Sequence, residues 1–128
     1  MAGIKVTRID RSHGSVSADP IFAGRVEIQE LVNDAAAELL RVTAVTFVDG
    51  AENRPHAHST DQVLVATSGQ GFVATSEERQ ALAPGDVALI PARTRHWHGA
   101  ASGATFTHLS ILTPGHMWLE PNETDEDG

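Results

Sequence analysis

From residue 40 onward the chain alternates short runs of β-branched and apolar residues with turn residues. The first run, at residues 40–48, reads LRVTAVTFV. The other runs are at residues 62–68, 72–75, 87–91, 96–99 and 104–112. The segments 69–71 (GQG) and 84–86 (PGD) predict turns, and the polar residues 76–80 predict a hairpin tip. Short strands at this spacing favour an all-β barrel or sandwich.

The N-terminal third adds two strand candidates and one conflicting segment. The strand candidates are residues 4–9 (IKVTRI) and 24–31 (GRVEIQEL), which bring the total to about eight. Residues 33–42 (NDAAAELLRV) contain good helix formers. Because few residues precede the strand that begins at residue 40, we expect a loop there, with at most one helical turn. No repeat or linker is visible, so we predict a single domain over residues 1–119 with its core at 24–114.

Composition limits the class of protein. The chain has 128 residues, 41% of them hydrophobic, and no apolar run of 18 residues, so no transmembrane helix is expected. The start MAGIKVTRID lacks the features of a signal peptide. Cysteine is absent, which excludes disulfides and thiolate metal sites. These features predict a cytoplasmic protein that does not bind membranes.

The negative charge of the chain is concentrated at its C-terminus. The net charge is −8, and the last nine residues (120–128, EPNETDEDG) carry five carboxylates. We expect this acidic tail to be a solvated, disordered terminus. No basic stripe is present, so nucleic-acid binding is disfavoured.

Histidines supply the candidate chemistry. His56 and His58 form one H-x-H pair, His96 and His98 form a second, and His108 lies in the last predicted strand. Side chains two residues apart point the same way in a strand. Either pair alone would be read as polar residues beside a turn. Together they favour a metal site, and Gln62 has the parity to join it.

Two segments resemble the sequence motifs of the cupin superfamily. The first motif is Gly50-x5-His56-x-His58-x3-Gln62-x6-Gly69, and the second is Gly85-x5-Pro91-x4-His96. The second motif departs from the family pattern at Arg93, where Gly is usual, and at Ala100, where Asn is usual. The resemblance covers roughly residues 24–114 and implies a jelly-roll β-barrel.

Within that family, the H-x-H-x3-Q, HWHGA and THLSI stretches are similar to small single-domain cupins that include manganese-dependent hydroxynitrile lyases. The resemblance implies that one divalent metal is bound by four side chains, those of His56, His58, Gln62 and His96. It favours Mn²⁺ or Fe²⁺, while the donor set also permits Co²⁺, Ni²⁺ and Zn²⁺. Cupins often form dimers, so the resemblance also implies a homodimer.

The remaining site assignments concern the pocket. The resemblance places His108 beside the metal without binding it, and places Thr43 and Val45 on the pocket wall. Leu64 continues the face of Gln62, which suits a pocket wall or a core equally well. His98 has ligand parity, but the motif ends at His96, so we expect His98 in the pocket or behind the ligands.

Gln62 changes the chemistry that the site could perform. The usual cupin set is three His and one Glu, and a neutral amide leaves the full +2 charge on the metal. It also removes a carboxylate that could act as a base, which makes His108 the candidate base. A packing role for His108 remains the alternative.

Three functions fit these residues. The first is a metal-dependent lyase of the hydroxynitrile-lyase kind, in which the metal holds the substrate oxygen and His108 takes the proton. The second is an Fe²⁺-dependent cupin dioxygenase. The third is a non-catalytic cupin that binds a metal or a small ligand. Each implies a small molecule rather than a macromolecule as the partner.

Overall fold

The fold is described from a computed structural model, which covers residues 3–33 and 36–119. This part of the chain contains one 3₁₀ helix, Arg11–His13, and strands β1 to β13. The strands are β1 Ser15–Val16, β2 Phe22–Ala23, β3 Val26–Val32, β4 Arg41–Phe47, β5 Glu52–Asn53, β6 His56–His58, β7 Gln62–Gly69, β8 Gly71–Ala74, β9 Arg79–Leu82, β10 Val87–Ile90, β11 Trp97–Ala100, β12 Phe106–Leu112 and β13 Met117–Leu119. The all-β prediction is confirmed.

The strands form two antiparallel sheets and a small ribbon. The larger sheet has the order β1-β3-β4-β12-β7-β10, and the smaller has the order β2-β5-β11-β8-β9. The ribbon is β13 paired with β6. Neighbours in these sheets are mostly not consecutive in sequence, as expected for a jelly roll.

Apolar side chains from both sheets meet between them. The buried cluster includes Val26 and Val45 from the larger sheet and Ala100 from the smaller, with Phe47 and Phe106 fully buried at its centre. Phe106 and Phe47 are cross-strand partners on β12 and β4. On one face of β12 the residues Phe106, His108 and Ser110 follow one another at the two-residue period of a strand, so the same face carries core and polar groups.

A glycine closes the turn between β7 and β8. Gly69 has a φ of +79°, a left-handed conformation that a residue with a Cβ rarely adopts. A Cβ at this position would lie 1.9 Å from the carbonyl oxygen of Thr105. The predicted GQG turn is therefore confirmed, and its first glycine is required by both backbone conformation and space.

The N-terminal region differs from the prediction. Residues 4–9 form no strand, and Ile4 and Val6 are 98% and 92% exposed. Alternating apolar residues predicted a strand there, but none of the described strands pairs with this segment. Of residues 33–42, those described before β4 form a turn and bends rather than a helix, as expected, and the last two belong to β4. The acidic tail at 120–128 lies outside the described residues.

In the described residues, no helix has the length and apolar character needed to cross a bilayer. The cytoplasmic location stays a prediction.

Candidate metal centre

Backbone hydrogen bonds bring the two histidine motifs together. The amide of His56 donates to the carbonyl of His96, and the amide of His96 donates to the carbonyl of His56, each over 2.9 Å. The two residues are thus directly opposite each other in an antiparallel bridge. Residues forty positions apart in sequence therefore present their side chains at one place.

The C-terminal strand β13 supports the strand that carries the first motif. Met117 pairs with His58 and Leu119 pairs with His56. The connection is tightened by the Ser59 amide, which donates to the carbonyl of His116 over 2.8 Å. The sequence did not predict β13, because its three residues are too short for a periodic signal.

The three expected histidine ligands form one group. The ring nitrogens of His56, His58 and His96 that could bind a metal all lie within 4.8 Å of one another. Nδ1 of His56 lies 2.7 Å from the carbonyl oxygen of Arg54, and Nδ1 of His96 lies 2.8 Å from that of Thr94. Because a carbonyl oxygen only accepts, both Nδ1 atoms must carry the proton. Nε2 of each neutral ring is left as a free lone pair for a metal.

Burial keeps these imidazoles neutral. Burial, with a smaller contribution from the charge of His96, lowers the pKa of His56 to about 3 and that of His58 to about 4. The pKa of His96 is also lowered by burial. Neutral rings at pH 7 meet the requirement that histidine ligands be deprotonated.

Gln62 turns its side-chain oxygen, a further atom with a lone pair, towards the histidines. Its Oε1 lies 3.1 Å from Nε2 of His96, and its Nε2 donates to Oγ of Ser110 over 2.8 Å. Since the proton of neutral His96 is on Nδ1, a lone pair on the ring faces a lone pair on the amide oxygen. A cation between the two would turn this unfavourable contact into two favourable ones. The donor set of three imidazoles and one amide oxygen therefore fits a divalent metal.

His98 lies between this group and His108. The ring centroid of His98 is 5.7 Å from that of His56, 5.6 Å from that of His96 and 4.8 Å from that of His108. Nδ1 of His98 and Nε2 of His108 are 3.0 Å apart and share a hydrogen bond. The structure thus places His98 next to the ligands and His108 one ring further away.

His108 is fully buried beside His98. Its Nδ1 makes no hydrogen bond of standard geometry with the residues that the structure describes. Burial lowers the pKa of His108 to about 4, and a backbone contact with Leu109 opposes this shift in part. The ring packs against Phe47 and Phe106, with centroids 5.6 and 5.7 Å away. His108 is therefore neutral at pH 7, and its Nε2 faces His98.

The other expected pocket residues flank β12. Val45 is the cross-strand partner of His108, and Thr43 is the partner of Ser110 on the same strand, β4. Leu64 is opposite Ser110 on the other side, on β7, and is fully buried. The structure therefore brings all three onto the sheet face that carries His108, where Val45 and Leu64 are packed in the interior.

A cavity of about 300 Å³ extends from His96 to the edges of β9 and β10. Its lining is partly apolar and includes Val73, Leu82 and Ile90. The volume is at the lower end of the range for small-molecule pockets.

The sequence patterns did not indicate two polar residues of the site, the buried Asn53 and the half-buried Ser110. Ser110 holds the amide of Gln62. Oδ1 of Asn53 accepts a hydrogen bond of 2.8 Å from the amide of His98, and its Nδ2 is 3.1 Å from Nε2 of that ring. Asn53 falls at an unspecified position of the first motif, and Ser110 lies in the THLSI stretch without an assigned role. For Ser110, the only signal was its position two residues after His108, on the same face of the strand.

Comparisons with known proteins show the family and the fold. The family model described as "Cupin domain" matches residues 43–123. The chain is 35% identical over 91 residues to a protein named (R)-mandelonitrile lyase from Granulicella tundricola, covering 70% of each chain. A solved structure of a cupin-like protein from Thermotoga maritima is 31% identical, with a TM-score of 0.80 over 94% of both chains. The polyketide cyclase RemF from Streptomyces resistomycificus shares the fold, with a TM-score of 0.78 at 15% identity over 94% of this chain and 89% of its own.

Proposed function

This chain belongs to the cupin family, and we propose that it is a metal-dependent lyase that splits a cyanohydrin into a carbonyl compound and hydrogen cyanide. The observation that carries the proposal is the group of His56, His58 and His96 with the amide oxygen of Gln62 turned towards it. The naming of a 35% identical relative as (R)-mandelonitrile lyase supports the reaction class.

We propose Mn²⁺ or Fe²⁺ as the resident metal, held by the three histidines and Gln62. Such a metal would supply Lewis acidity, which favours loss of a proton from a hydroxyl group bound at the site. Because Gln62 is neutral, the side chains of the site do not offset the positive charge. The same side chain cannot accept a proton at pH 7, so the base must come from another residue.

We assign the base to His108, at its Nε2. Oδ1 of Asn53 accepts from the amide of His98, so Nδ2 of Asn53 donates to Nε2 of His98, and the neutral His98 ring carries its proton on Nδ1. Nδ1 of His98 therefore donates to Nε2 of His108 over 3.0 Å, which makes Nε2 the nitrogen of His108 that carries a lone pair. The hydroxyl proton of the cyanohydrin moves to this nitrogen in place of the hydrogen bond from His98, the carbonyl double bond forms, and the carbon–cyanide bond breaks with its electron pair leaving on cyanide. Cyanide then takes the proton from His108 and departs as hydrogen cyanide.

The partly apolar cavity beside His96 supports a substrate with a compact apolar or aromatic substituent. Val73, Leu82 and Ile90 would contact this substituent, while the hydroxyl group of the substrate would lie at the end of the cavity formed by His96. Mandelonitrile has such a substituent and is therefore the first substrate to test.

The test is cleavage of mandelonitrile by Mn²⁺-loaded protein, followed by the absorbance of the benzaldehyde formed. We expect cleavage well above that of free Mn²⁺, and a loss of about 10²- to 10⁴-fold in His108→Ala with Mn²⁺ still bound. His13→Ala is the matched control, because His13 is an exposed histidine outside the site. A rate no higher than that of free Mn²⁺ would contradict the lyase proposal and favour a non-catalytic cupin.

We also propose a homodimer in which the N-terminal segment contacts a second copy of the chain. No described strand pairs with the segment 4–9, and its side chains Ile4 and Val6 are almost fully exposed, an unfavourable state for large aliphatic groups. Light scattering after size-exclusion chromatography should give twice the chain mass for the native protein. The double variant Ile4→Asp, Val6→Asp should be monomeric, and a monomeric native protein would contradict the proposal.

A further inference from the structure

We propose that Ser110 is a positioning residue for the metal site and keeps the Gln62 amide turned with its oxygen towards the histidines. The inference rests on the metal site of the proposed function. It is carried by one contact, in which Nε2 of Gln62 donates to Oγ of Ser110 over 2.8 Å. With the nitrogen held there, Oε1 is the end that faces Nε2 of His96.

An amide needs such a partner in a way that a carboxylate does not. The two ends of the Gln62 side chain have nearly the same shape, so packing barely distinguishes them, but only the oxygen is a metal ligand. In the reversed orientation, the amide N–H would donate to the free lone pair on Nε2 of His96. That orientation would remove one ligand and occupy the lone pair of another, so it competes directly with metal binding.

Ser110 stabilises the orientation that binds a metal. Gln62 is buried, and an amide N–H without a partner at a buried site is costly. When a metal holds the oxygen, the amide N–H points away from the histidines, and Oγ of Ser110 is the acceptor that it meets. Without the hydroxyl group, metal binding leaves this N–H without that partner, whereas in the reversed orientation the N–H still has Nε2 of His96, so metal binding is weakened.

Strand register places Ser110 where this role requires it. Ser110 is opposite Leu64 on β7, two residues from Gln62 at the start of that strand. It lies on the same face of β12 as His108, whereas Thr107 lies on the opposite face and shares a hydrogen bond of 2.8 Å with Thr46. Thr107 is therefore a hydroxyl residue of the same strand that does not reach the site.

The test is the affinity of metal-free protein for Mn²⁺, measured from the electron paramagnetic resonance signal of the free ion. Ser110→Ala should weaken binding by about 10- to 100-fold, the usual effect of removing a group that orients a metal ligand. Ser110→Thr keeps the hydroxyl group and should bind within about threefold of the native protein. The control Thr107→Val should bind as the native protein does.

Two results would overturn the inference. One is native affinity in Ser110→Ala, and the other is equal weakening in Ser110→Ala and Ser110→Thr, which would indicate a packing effect. Circular dichroism establishes that each variant is folded, and Ser110→Cys replaces any variant that is not, with an expected loss close to that of Ala. Native protein that binds Mn²⁺ but does not cleave mandelonitrile would refute the lyase while leaving the role of Ser110 intact.

Discussion

Metal affinity should depend only weakly on pH between 7 and 5. A histidine ligand with the ordinary pKa of about 6.5 is almost entirely protonated at pH 5, and the competing proton then lowers metal affinity about 25-fold relative to pH 7. Three such ligands acting independently would lower the affinity by about 10⁴-fold. An ordinary surface cluster of histidines would therefore lose its metal over this range.

The buried site of this protein should behave differently. With a pKa of about 3, His56 remains almost fully deprotonated at pH 5. His58, with a pKa of about 4, is protonated in a small fraction of molecules, and the lowered pKa of His96 acts in the same direction. We therefore expect the affinity for Mn²⁺ to fall by no more than about tenfold between pH 7 and pH 5.

The assay is Mn²⁺ titration of metal-free protein at pH 7.0, 6.0 and 5.0, with free Mn²⁺ quantified by electron paramagnetic resonance. Circular dichroism at each pH shows that the protein is still folded, so that unfolding is not mistaken for proton competition. A fall approaching 10⁴-fold in folded protein would refute the reasoning, because it would show that the histidines titrate as solvated imidazoles.

Three further predictions concern stability and the ribbon of β6 and β13. Burial lowers the pKa of His108 to about 4, so at this residue the unfolded chain takes up a proton at a higher pH than the folded chain does. Between pH 6.5 and 4 this residue alone should lower the unfolding free energy of metal-free protein by about 2.6 kcal/mol, in addition to the effect of His56 and His58. In urea melts the fall should therefore be about 2.6 kcal/mol smaller in His108→Phe, and an equal fall would contradict the reasoning. Ending the chain after residue 115 removes β13, the only strand that pairs with β6 among the described strands. Because β6 carries His56 and His58, this truncation should weaken Mn²⁺ binding about tenfold or more. Native affinity in the truncated protein would contradict this prediction. Gly85→Ala should lower the unfolding free energy by roughly 1–2 kcal/mol, the strain of a left-handed residue with a Cβ. Gly69→Ala should lower it clearly more, because a Cβ at residue 69 also meets a backbone oxygen, whereas one at residue 85 meets no atom. Equal urea midpoints for the two variants would refute the steric argument.

The histidine group could be predicted because its signal is local. His56 and His58 share a strand face by parity, and the spacing to Gln62 and His96 matches a known motif. The two-sheet fold was predictable for the same reason, since strands such as β4, β7 and β12 are long enough to show their apolar pattern.

Other features depend on contacts between distant parts of the chain. Ser110 and Asn53 act through partners 48 and 45 residues away, and no short pattern encodes such a hydrogen bond. The order of His96, His98 and His108 in space likewise follows from the pairing of strands rather than from their parity. The prediction for residues 4–9 was wrong for the opposite reason, because their pattern is that of a strand while none of the described strands pairs with them.

The structure shows which contacts accompany the departure from the second cupin motif at Arg93. Arg93 occupies a position where the cupin pattern usually has Gly, and its φ is +67°, within the left-handed region that favours glycine. Its amide donates to the carbonyl of His58 over 2.7 Å, and its guanidinium lies 5.4 Å from the ring centroid of Trp118. Contacts with both strands of the ribbon therefore accompany the strained backbone conformation.

The central claim is that three histidines and the oxygen of Gln62 together hold one catalytic metal. Anomalous diffraction from Mn²⁺-soaked crystals, collected on both sides of the manganese edge, tests it most directly. The account predicts a single strong peak within about 2.0–2.4 Å of Nε2 of His56 and His96, a ring nitrogen of His58 and Oε1 of Gln62. A peak that leaves Gln62 uncoordinated, or no peak between the histidines, would contradict it.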